Sequence, residues 1–139
     1  MNFPIGRGAP GHLLRRNGKA DIALWNSREH VVAIVEVKNN VYHSSCEEDL
    51  HRLANFSCRV AGNPISSFAY FQSARGSSEE ACSNFLEQAI LNLREMTERT
   101  VHQYQLLTEH HHFASKPEQY DDDLFYGFLA HASTFWRGD

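Results

Sequence analysis

Ala20 to Asn40, ADIALWNSREHVVAIVEVKNN, decides how the chain is organised. Two runs rich in aliphatic and aromatic residues flank a polar segment, Asn26 to His30, and so read as strands over 19–26 and 31–39 joined by a turn. The first carries Asp21; the second carries Glu36 and Lys38. Side chains alternate along a strand, so Glu36 and Lys38 share a face, while Val35 and Val37 are expected on the other, turned into a core.

Charged groups that follow the apolar run Val31 to Val35 are costly to desolvate unless they pair or bind something. If the two strands are neighbours, Asp21 comes beside Glu36, and two like charges disfavour each other unless a cation lies between them. Both carboxylates, the backbone carbonyl of Val37 and water make an oxygen site of the kind Mg²⁺ (or Mn²⁺) takes. Lys38 at its edge can hold an attacking water or stabilise charge developing on a phosphate.

Ala20-Asp21, followed 15 positions after the aspartate by Glu36-Val37-Lys38, resembles the PD-(D/E)XK nuclease superfamily, with alanine where that family usually has proline. The resemblance implies that Asp21 and Glu36 hold a divalent metal and that Lys38 assists the attacking water, which makes these three the candidate catalytic residues. It implies an α/β fold, a mixed β-sheet flanked by helices. The family usually opens on a helix that brings another acid to the site. Here no Asp or Glu precedes Asp21, and Pro4, Gly6, Gly8, Pro10 and Gly11 leave no room for such a helix. The expectation is a restriction-endonuclease-like core with its first helix missing or shortened, and a bare sheet surface that suits a homodimer or a partner subunit.

Length bounds the architecture: 139 residues suffice for one core, so 1–139 reads as a single domain with residues 1–11 as a flexible basic arm. The formal charge of −4 argues against strong binding to phosphates, yet residues 1–20 hold Arg7, Arg15, Arg16 and Lys19 with no acid. Arg15, Arg16 and Lys19, with Arg52 further on, are the candidates for contacting nucleic acid, DNA ahead of RNA. No apolar run approaches the roughly 20 residues that cross a bilayer, so no membrane is expected. Cys46, Cys58 and Cys82 form no C-x-x-C pair and read as thiols in a reducing, cytoplasmic setting.

Along the chain, residues 12–16 read as a strand that turns back at Asn17-Gly18, which completes a three-stranded meander. Ser45 and Glu48 suggest a capping box for a helix to Arg59, with Cys46, Leu50, Leu53, Ala54 and Ser57 on one face. Another face presents Glu48, His51, Arg52 and Asn55. Ile65 to Ser73 reads as a strand, parallel to 31–39 because a helix connects them. Ser77 and Glu80 open a long helix with an apolar stripe at Ala81, Phe85, Ala89, Ile90, Leu93 and Met96. His110-His111-His112 cannot all face one ion on a helix and read as its solvated end. Residues 115–123 read as a loop, and 124–136 as a strand or short helix.

Two functions follow from these expectations. One is metal-dependent hydrolysis of phosphodiester bonds; the other is a weak or inactive module of the same fold, binding or scaffolding in a nucleic-acid system. A surface Glu-Lys pair in an unrelated α/β domain is the third reading.

Overall fold

The computed structural model describes residues 21–39 and 43–138, apart from the side chains of residues 43–45. The expected strand at 12–16, its turn, the basic arm, and Arg15, Arg16 and Lys19 lie outside the described residues. The architecture is mixed α/β: a six-stranded sheet with two helices. In chain order the elements are β1 (Ile22–Trp25), β2 (Val31–Asn39), α1 (His43–Arg59), β3 (Ile65–Gly76), α2 (Glu79–Gln103), β4 (Leu106–Ala114), β5 (Glu118–Asp121) and β6 (Leu124–Arg137).

The sheet runs β1-β2-β3-β6-β4, with β5 also paired to β6. β2 and β3 are parallel, as the intervening helix requires, with Glu36 level with Phe68 and Lys38 level with Tyr70. The other pairs are antiparallel. Both helices lie on one face. Ser66 of β3 donates to Leu53 O of α1, and a Cβ on Gly127 of β6 would meet Leu86 and Cys82 of α2. That face buries Ile34, Phe68, Leu129 and Phe135 beneath Leu50, Phe56, Leu86 and Leu93. Among the described residues, no element covers the opposite face.

Five expectations change. Val35 and Val37 do not point into the core: Val37 is 40 % exposed and Glu36 is 2 % exposed. The helices pack on the charged side of β2 because the charges there are paired. The buried stripe of α2 keeps Ile90, Leu93 and Met96 as expected, but its first turns bury Cys82 and Leu86 in place of Ala81 and Phe85, and Phe85 is left half exposed. Its cap is Ser78, whose hydroxyl accepts from Ala81 N at 3.0 Å.

The three histidines belong to β4, not to a helix end. α2 stops at Tyr104, and Gln105, at φ 56°, turns the chain back. His110 and His112 then face the helices, and His111 faces the other way. Residues 115–123 also contain a strand, because β5 continues along the edge of β6 that β4 leaves. Pro117, which has no N–H, falls in the gap between them.

Candidate functional site

The hairpin fixes the site's register. Asn26 Oδ1 accepts from the backbone N–H groups of Arg28 at 2.9 Å and His30 at 3.1 Å, which closes the turn. β1 then pairs with β2 so that Ile22 faces Val35. One residue before the pairing begins, Asp21 stands level with Glu36, and its Oδ2 accepts from Val37 N–H at 2.7 Å. Asp21 is exposed; Glu36, Val37 and Lys38 flank it on the neighbouring strand. The backbone group of Val37 engaged here is its N–H, which holds the Asp21 carboxylate.

On the covered face, Glu36 and Lys38 meet α1. Asp49 and Arg52, one helical turn apart, reach down to them and close a ring of alternating charge. Lys38 Nζ lies 2.6 Å from Asp49 Oδ2 and 3.7 Å from Glu36 Oε1. Arg52 Nη2 donates to Asp49 Oδ1, and to Glu36 Oε1 at 3.4 Å. The acids are nearly buried, at 3 % and 6 % side-chain exposure, and the cations partly so, at 20 % for Lys38 and 18 % for Arg52. Two acids and two bases cancel, so the ring lets four charges leave water without net charge.

Arg52, expected to contact nucleic acid, is thus turned into the ring. Asp49 escaped the reading of the sequence. Its position between Cys46 and Leu53, at steps of three and four, already placed it on the buried face of α1. A buried acid one turn before an arginine is the signal that could have found it.

Beside the ring, Cys46 and Tyr70 form one wall of a cavity of about 190 Å³. Gln72, Gln88 and Asn92 bring amide groups to it, and Phe85 and Met96 bring apolar surface. Burial, reinforced by the Asp49 charge and opposed by Lys38, pushes the Cys46 thiol up to about 11, so it stays protonated at neutral pH. It is not a nucleophile there.

Asp21 and Glu36 supply the hard oxygen chemistry that Mg²⁺ or Mn²⁺ takes, and in donor type they fit such an ion. Among the described residues, no three His, Cys, Asp or Glu side chains are grouped to hold a metal. Asp49 is joined to Glu36 through the ring, by way of Lys38 and Arg52. No helix among the described residues is long and apolar enough to cross a membrane.

No family model, no curated protein and no solved structure matches the chain.

Proposed function

We propose that the chain is a PD-(D/E)XK-like domain that hydrolyses phosphodiester bonds of nucleic acid, DNA ahead of RNA, with Mg²⁺ or Mn²⁺ held by Asp21 and Glu36. The observation that carries the reading is the hydrogen bond from Val37 N–H to Asp21, which fastens one acid of the motif beside Glu36 and Lys38. A divalent ion at that place supplies neutralisation of phosphate charge and acidifies bound water. Lys38 Nζ, 3.7 Å from Glu36 Oε1, is within reach of a water held beside that carboxylate and orients it by donating to its oxygen. Arg52, released from Glu36, offers its free N–H groups to a phosphate oxygen. The finer fold reading, a restriction-endonuclease-like core without its first helix, belongs to this proposal. So does a cytoplasmic setting, which the free thiols of Cys46, Cys58 and Cys82 support.

One observation favours the second reading, a non-catalytic binding or scaffolding module. The closed ring already satisfies Glu36, so that carboxylate needs no ion to be buried. The two readings part in one experiment. Labelled single-stranded and duplex DNA and RNA are incubated with the chain and Mg²⁺ or Mn²⁺, alongside Asp21→Asn, Glu36→Gln and Lys38→Met. Cleavage by wild type that falls at least 100-fold in each variant supports the nuclease. Intact substrate under both ions leaves the module.

A further inference from the structure

The open face of the sheet is apolar across its width. On it stand Val37, Phe71, Phe113 and Phe128, each between 40 % and 58 % exposed. The alternation of β2, β3, β6 and β4 puts them all on the side away from α1 and α2. Exposed apolar surface on this scale marks a contact with another molecule.

The face has relief. Ala69, Ala130 and Ala132 form the floor of a trough of about 320 Å³. Phe71 and Phe113 stand on either side of Ala130 in the same row, and Phe128 follows against Phe113, ring centroids 5.8 Å apart. An aromatic ridge therefore lies next to a strip of alanines. A surface with its own ridge beside its own trough complements itself after a half turn, the condition for an isologous two-fold contact.

We propose that this face is the interface between two copies of the chain, the aromatic ridge of each seated in the alanine trough of the other. Area agrees. Strands about 4.8 Å apart and about 25 Å long give a footprint of roughly 600 Å² before side-chain relief is added. A standard interface takes roughly 800 Å² of accessible surface from each partner. Charge agrees as well. Among the described residues the ladder positions of this face carry Arg75 and Glu118 in one end row, on either side of Tyr126, and Glu109 on the edge strand β4. A nucleic acid would find no cationic track on it, and two copies can meet there without burying like charges. His111, 3.3 Å from Glu109, adds to a polar rim. This inference is independent of the nuclease reading.

Light scattering after gel filtration of the full chain at about 10 μM tests it. The expected mass is twice the 15.9 kDa of the chain. Phe71→Glu and Phe113→Glu are expected to weaken the dimer at least tenfold. Leu91→Glu, at an exposed position on α2, should leave it intact. Far-UV circular dichroism checks that each variant folds, and Phe113→Glu, on the outer strand, decides if Phe71→Glu does not. A monomeric wild type overturns the proposal whether or not the face then binds an apolar dye. So does a dimer that survives both charged substitutions.

Discussion

Lys38 reaches past its own strand: its ammonium is 2.6 Å from Asp49 on α1 but 3.7 Å from Glu36, two residues away on β2. The ionic contact therefore ties a strand to the helix that covers it. A buried ring of this kind adds little over apolar packing while it is whole, and costs much when one member is lost.

Asp49→Ala is accordingly expected to lower unfolding free energy by about 3 kcal/mol, since it leaves Lys38 and Arg52 sharing one acid in a covered site. Replacing all four members with apolar residues of similar volume should recover most of the loss. Urea denaturation at neutral pH measures both.

Asp21 behaves differently because it is exposed. Asp21→Asn keeps an acceptor for Val37 N–H, and the expected stability change is below about 1 kcal/mol. On the nuclease reading the same substitution removes the rise in melting temperature that Mn²⁺ gives wild type. A Mn²⁺ shift of undiminished size in Asp21→Asn would remove Asp21 from the ligand set.

His131 predicts an acid-sensitive fold. It is 3 % exposed, and among the described residues neither ring nitrogen has a hydrogen-bond partner. Burial, with His110, Arg94, His112 and His111 adding in that order, lowers its pKa to about 4. The unfolded chain takes up this proton near pH 6.5, before the folded chain does, so stability falls as pH drops from about 6.5 to about 4 and levels off below. Between pH 7 and 5 the loss from this group is about 2 kcal/mol. His131→Leu should flatten that part of the profile. His110 has its own partners, Glu98 at 3.2 Å and Ser133 at 2.8 Å, and Arg94 donates to His112 Nδ1 at 2.7 Å.

Gly76→Ala should be among the more damaging single-methyl changes. A Cβ there would lie 2.8 Å from the backbone nitrogen of Cys82, in the first turns of α2, where the backbone cannot step aside without shifting the helix. The expected cost is about 2 kcal/mol, read from thermal or urea unfolding.

Local pattern carried far in this chain. The β1–β2 hairpin, the helix after it and the parallel return in β3 follow from Asn26 to His30, the apolar spacing from Cys46 to Ser57 and the crossover rule, although α1 opens at His43, two residues before the expected cap at Ser45. The buried positions Cys46, Leu50, Leu53, Ala54 and Ser57 of α1 were legible from spacing alone. What failed needed tertiary facts. Alternation fixes that Glu36 and Val37 part company, but not which of the two faces the helices cover. The usual rule that apolar residues go inside points the wrong way when four charges neutralise one another there. The histidines of β4 lack the β-branched and aromatic character of a strand, and only pairing with β6 holds them in one. At the candidate site Asp21, Glu36 and Lys38 could be named from spacing; spacing also puts Asp49 on the buried face of α1 one turn before Arg52, but that it meets Lys38 of β2 is a tertiary fact.

β6 comes latest of the strands along the chain, yet it runs between β3 and β4 in the middle of the sheet. During synthesis, β3 therefore leaves the ribosome with one edge unpaired and waits while α2, β4 and β5 are made. An unpaired edge of that length is a template for foreign strands. Holding by a chaperone, or slow translation after residue 76, would matter most in this interval, and aggregation during expression should respond to it more than to any change in α1.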